Sequence, residues 1–189
     1  MKNEVKDPCI NEAVETARNA KNTIRDMLNN TFSGNEYEDS DITFKDVTTL
    51  PDNIDGTSRQ INSKIFEIEL NKNKLLGRSK EYIVATVYHE VLHTYLDTKY
   101  PKGLDGTISI GDGHSKMADD YIALLTGSLR VAFPSLSLQD AWGLSWGGLQ
   151  FTSFYKNKLS DSERAEIEDI NEQHKKSTPS SKRRGVFCE

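Results

Sequence analysis

The apolar positions of this chain recur with two periods. Ile10, Val14, Ala17, Ile24, Met27 and Leu28 fall on one side of a helix over about residues 10–31. Ile42-Thr43-Phe44-Lys45-Asp46-Val47 alternates as a half-buried strand does. A second strand is expected over about 64–70, where Ile65, Glu67 and Glu69 alternate in part with Phe66, Ile68 and Leu70. Between them, Pro51 to Arg59 is rich in Asp, Asn and Gly and reads as loop. Helical spacing returns over about 79–98, carried by Ile83, Val84, Val87, Tyr88, Val91, Leu92, Tyr95 and Leu96. Ser79 is its expected N-cap, and Glu81 falls one residue short of a capping box. A further helix is predicted over about Ser115–Val131, ending before Pro134. Ser137 caps a short helix containing Trp142, and Ser160 or Asp161 caps a last one reaching about Lys175.

Helix, strands, then helices make an α+β layout in one domain, residues 1–175. The segment 176–189 is rich in Ser and carries Lys182-Arg183-Arg184. It reads as a basic, flexible, solvated tail unless Cys188 anchors it. Cys9 and Cys188 lack the spacing of a metal site. They are either two unrelated thiols or a staple between distant parts of the chain, and a staple implies an oxidising destination.

Composition narrows the function classes. The chain has 189 residues, 28% charged, with a net charge of −5, which argues against a general nucleic-acid binder. No stretch approaches the roughly 18 apolar residues of a membrane span. Met1 to Pro8 is polar, without a signal-peptide core. The expectation is a soluble protein that stays where it is made, leaves by a dedicated export route, or is part of a longer chain.

The chemistry is concentrated in His89-Glu90-Val91-Leu92-His93. Residues four apart on a helix project from one face, so both imidazoles can close on one cation. In such a pattern the Glu serves as general base toward water. The bland alternative is two surface histidines on an amphipathic helix, and the flanking apolar residues speak against it. A catalytic zinc needs a third protein ligand and an open position. Between Glu90 and Glu163 the chain has no Glu, which argues against a Glu ligand. Leu96 and Lys99 rule out the metzincin continuation, and Gly106-Thr107 only half echoes the aspzincin one. His114, after the turn-rich Gly111-Asp112-Gly113, is the first candidate. Asp97, Asp105, Asp112, Asp119 and Asp120 are its competitors, with Asp97 alternatively supporting a ligand imidazole. Tyr121 lies two turns after His114 and is a candidate oxyanion donor or, equally, a core tyrosine. Met117 and Ala118 are expected to pack beneath the site. Ala141-Trp142-Gly143-Leu144-Ser145-Trp146-Gly147-Gly148-Leu149-Gln150 either packs over the core or walls a substrate cleft.

His89-Glu90-Val91-Leu92-His93 together with His114, Met117, Ala118 and Tyr121 resembles the zincin-like metallopeptidases related to the SprT-like group. Leu144-Ser145-Trp146-Gly147-Gly148-Leu149-Gln150 and Thr152 extend the likeness over about residues 79–155. The resemblance implies a zincin-like core in which a small sheet backs the motif helix. It implies His89, His93 and His114 as Zn2+ ligands and Glu90 as catalytic acid/base. The paired cysteines of the SprT zinc ribbon are missing here, so DNA-dependent protein cleavage is not carried over. Relatives also resemble toxin modules of exported bacterial proteins. The expected activity is therefore peptide-bond hydrolysis, with a protein or peptide substrate and, for an antibacterial effector, a cognate immunity protein. The rival expectation is a non-catalytic domain whose metal is closed by a fourth ligand such as Asp112 or Asp119.

Overall fold

A computed structural model describes residues 1–21, 24, 26, 41–62, 65–100 and 113–188. Within them the chain is a mixed α+β unit with one four-stranded sheet and eight α-helices. The strands are β1 (Lys2–Asn3), β2 (Asp41–Val47), β3 (Gly56–Asn62) and β4 (Ile65–Asn71). Their order is β1-β2-β4-β3; β1–β2 and β2–β4 are parallel, and β4–β3 is antiparallel. The helices are α1 (Pro8–Asn19), α2 (Lys72–Leu75), α3 (Lys80–Lys99), α4 (His114–Asp120), α5 (Ile122–Ala132), α6 (Leu138–Ser145), α7 (Ser153–Lys158) and α8 (Asp161–Gln173).

One face of the sheet is apolar because β2 and β4 alternate in phase. Phe44 pairs with Ile68 and Ile42 with Phe66, and all four are buried with Leu70. On the other face Lys45 and Arg59 both bond Glu67, and Arg59 also reaches Glu69. Helix α3 is the axis of the molecule. Packed by α1, β3, β4, α5 and α6, it buries Ile83, Val84, Val87, Tyr88, Val91, Leu92 and Leu96. A helix buried on nearly every side loses its polar stripe, so any polar residue on it has a specific partner or a specific task.

Strand β3 is a correction to the expected loop over 51–59. Its sequence, Gly-Thr-Ser-Arg-Gln-Ile-Asn, has no apolar alternation, and pairing with β4 makes it a strand. The helix expected over 10–31 begins at Pro8, capped by Asp7, whose carboxylate accepts from the Cys9 and Ile10 N–H groups. Extended backbone at Ala20 ends it. Ile24 and Asp26 are again helical, and the rest of that expectation, with Met27 and Leu28, lies outside the described residues. Ser79 caps α3, Ser137 caps α6 and Ser160 caps α8 in a full capping box with Glu163, as their spacing predicts. The helix expected over 115–131 is two helices, α4 and α5, divided at Tyr121, whose φ of −117° and ψ of −3° break the run.

The segment after α8 is not a free tail. Cys9 and Cys188 form a disulfide with Cα atoms 5.9 Å apart. Backbone bonds from Lys176 N–H to Gly77 O, and from Lys80 N–H to Val186 O, lay the segment along the start of α3. Val186 N–H donates to the buried Glu81 carboxylate. His174 is fully buried, with Nδ1 2.7 Å from Ser79 Oγ. Its hydropathy reads as tail because these contacts are made by backbone groups and a disulfide.

Candidate metal and catalytic centre

Helix α3 presents His89 and His93 one turn apart, and α4 starts with His114 directly after Gly113. The three rings converge through the same atom. Nε2 of His93 is 3.1 Å from Nε2 of His89 and 3.1 Å from Nε2 of His114, and the three candidate ligand atoms lie within 4.8 Å of one another. Three neutral imidazoles turned nitrogen to nitrogen repel unless a cation or proton sits among them. Tetrahedral zinc with Zn–N bonds of about 2.0–2.1 Å separates its nitrogens by about 3.3–3.4 Å, and the two 3.1 Å approaches fall slightly inside that spacing. Most of the His89 ring lies among protein atoms. That burial, and then the neighbouring His93 and His114, hold its pKa well below the ordinary value, keeping it in the neutral form a metal ligand needs.

Glu90 is buried beside the triad. Desolvation pushes its carboxyl up to about 8; a backbone hydrogen bond from Ser58 opposes this, and the charge of Asp55 adds to it. The backbone of strand β3 thus anchors the carboxylate that α3 supplies. Gly148 performs the matching service for His89. At φ +78°, a Cβ there would stand 3.3 Å from His89 Cε1 and 3.6 Å from Nε2, so the glycine lets the backbone lie against the ligand ring.

The triad and Glu90 open into a cavity of about 650 Å³. Its walls include Asp55, Gly56, Thr57 and Ser58 from the β3 side and Leu125, Leu129, Leu144, Gly148 and Phe151 from the helical side. Phe151 is 51% exposed and sets its ring against His114 with centroids 4.9 Å apart. Tyr82 also lines it, donating to Asp55 Oδ2 at 2.6 Å.

No family model, curated protein or solved structure matches the chain. The site is therefore read from its own geometry.

That geometry sorts the sequence candidates. His89, His93, His114 and Glu90 come together, and Asp97 lines the same cavity. Tyr121 does not line it. Its ring stands edge-on to Tyr95, with centroids 6.3 Å apart. Asp119 and Asp120 line a different groove, beyond α4. Asp105 and Asp112 lie outside the described residues. Met117 and Ala118 are buried beneath the site, as packing residues. The 141–150 segment does both things weighed for it: Trp146 is 2% exposed, while Gly147, Gly148 and Gln150 wall the cavity. Sequence reading missed Ser58, because a backbone amide contributes whatever the side chain is. The Gly147-Gly148 pair did signal close backbone approach, though not to which group.

Proposed function

We propose that this chain is a zinc-dependent peptidase with a zincin-like core. The observation that carries the reading is the convergence of three imidazole Nε2 atoms beside a buried carboxyl, in a cavity edged by a strand. His89, His93 and His114 would hold the ion. When bound, zinc supplies a Lewis acid that acidifies water and polarises a carbonyl. Glu90 takes the proton of the attacking water and returns it to the departing amine. Strand β3 is the edge of the sheet, so its cavity-side backbone can pair with an extended peptide while side chains enter the cavity. Phe151, Leu125 and Leu129 offer that peptide apolar wall. Among the described residues the cluster has three potential ligands and no fourth. Three protein ligands are the set a catalytic zinc uses, whereas a structural site adds a fourth.

The test is metal content and peptide hydrolysis of the purified chain beside His114→Ala. One bound zinc per chain and cleavage of a peptide mixture, both lost in the variant, are expected. Metal bound as tightly by the variant would overturn the ligand set, and a zinc-loaded wild type inert on all peptides would overturn the activity.

The disulfide supports a more specific reading, an exported antibacterial effector acting in an oxidising compartment and restrained by an immunity protein. Expression in a bacterial host should then arrest growth from the periplasm in a Glu90-dependent way. Harmless expression in both cytoplasm and periplasm would contradict it.

A further inference from the structure

A second hollow, a groove of about 1280 Å³, is lined by none of the three histidines. It is built wholly from helices and the turns between them, among the described residues. Ile122, Val131, Leu138, Trp142, Trp146 and Phe154 give it an apolar lining. Val131 is 49% and Leu138 61% exposed, so apolar surface that folding could have buried is left at the mouth. Four carboxylates line the same groove, Asp119, Asp120, Glu163 and Glu166, against the single guanidinium of Arg130. Asp120 is engaged by Lys116, and Glu166 by Gln139. Glu163 accepts from Ser160 in the capping box, and both Glu163 and Asp119 are exposed.

These features select one occupant. Helical walls have already spent their backbone hydrogen bonds internally, so they offer no strand edge to an extended peptide. A segment entering an apolar groove without such an edge must satisfy its own backbone, as a helix does. Its buried face must be apolar, and the acidic lining favours lysine or arginine at its margins. We propose that the groove between α5, α6, α7 and α8 is a docking site for a cationic amphipathic helix of a partner protein. The proposal is independent of the metal centre and survives if that reading fails.

The chain has two tryptophans, and both line this groove. Intrinsic fluorescence therefore reports its occupancy directly. The experiment titrates the full chain with an 18-residue helical peptide of leucine and lysine, leucines on one face. A Leu/Glu peptide of the same pattern and anionic phosphatidylglycerol vesicles form parallel arms. The Leu/Lys peptide should give a saturable blue shift and the other two none. Val131→Asp, at an exposed position of the mouth, should weaken binding about tenfold or more, as loss of one apolar anchor does. The double reversal Asp119→Lys with Glu166→Lys, which leaves the Ser160–Glu163 capping box intact, should exchange the preference toward the Leu/Glu peptide. Ile61→Asp, on an exposed apolar residue of β3 outside the groove, should change nothing. An absent shift, equal response to both peptides, a response to vesicles alone, or unaltered affinity of Val131→Asp would each overturn the proposal. An absent shift includes the case in which another part of this chain already fills the groove.

Discussion

The beginning and the middle of helix α3 treat buried polar side chains in opposite ways. At its start, polar groups meet partners in pairs: Ser79 with His174 Nδ1, Glu81 with the Val186 N–H, and the C-terminal segment held by Cys188 bonded to Cys9. Two turns later, His89, Glu90 and His93 converge on one point in a cavity, with His114 arriving from another helix. The contrast shows how one helix can carry stability and chemistry without mixing them. Reciprocal pairing satisfies buried polar groups and fixes the fold. Convergence of like groups on a shared point costs stability and pre-forms a binding site. His89 and His174 make the point within one residue type. Burial is the first cause of a lowered pKa in both, yet one ring faces two imidazoles and the other a serine.

The comparison breaks most visibly at Glu90. Glu90→Gln should retain zinc and lower kcat by about 10²–10⁴, the usual range for general acid–base catalysis; stopped assays of peptide cleavage beside metal analysis check it. His93→Ala, removing the central imidazole, should weaken zinc affinity by more than about 100-fold, because ligand loss exceeds the 10–100-fold typical of supporting residues. Competition with a chromophoric chelator reads this out, while His174→Ala should leave that affinity unchanged.

The clasp end should respond in stability instead. Cys9→Ser should cost about 2–5 kcal/mol in denaturant unfolding with the zinc stoichiometry preserved. Gly185→Ala should cost about 1–3 kcal/mol. The residue sits at φ +85°, and a Cβ there would come 2.4 Å from Glu81 Oε2 and 2.8 Å from His174 Nδ1. Thermal melts test it, at about 2–4 °C per kcal/mol for a chain of this size.

The smallest effect is a pH dependence. Burial lowers the His174 pKa from its usual 6.5; the charges of Glu81 and Asp140 raise it in part, and Arg184 lowers it. Below about 6.5 the unfolded chain binds a proton there that the folded chain resists. Its stabilising contribution is therefore whole above pH 6.5 and is lost as pH falls toward the folded value, with a slope of at most about 1.4 kcal/mol per pH unit. Unfolding curves of wild type and His174→Gln between pH 7.5 and 5 should diverge at the neutral end and converge at the acid end. Parallel curves would remove His174 from the account.

Much of this was legible along the chain, for local reasons. Serine caps and helical periods act over a few residues, so α3, α6 and α8 start where their sequences say. The His-Glu-x-x-His spacing places two imidazoles and the carboxyl on one helix with no help from the rest of the fold. His114 stands out along the chain by elimination, and the 3.1 Å approach of its Nε2 to that of His93 supports the choice. Strand β3 was not legible, because its order comes from pairing with β4. For Tyr121 spacing left an oxyanion donor and a core tyrosine equally open, and its edge-on contact with Tyr95 is a tertiary fact that a count of turns does not carry.

By itself, the sequence determined which side chains share the motif face, where most helices begin, and that two cysteines were on hand for a staple. Tertiary structure alone decided that the basic end segment is clasped to α3, that a β3 amide bonds Glu90, that Gly148 lies against His89, and that Asp119 and Asp120 line a groove apart from the histidine cluster. The division follows from range. Capping and periodicity are settled within a turn or two, whereas convergence needs groups tens of residues apart, whose meeting depends on packing that no single segment encodes.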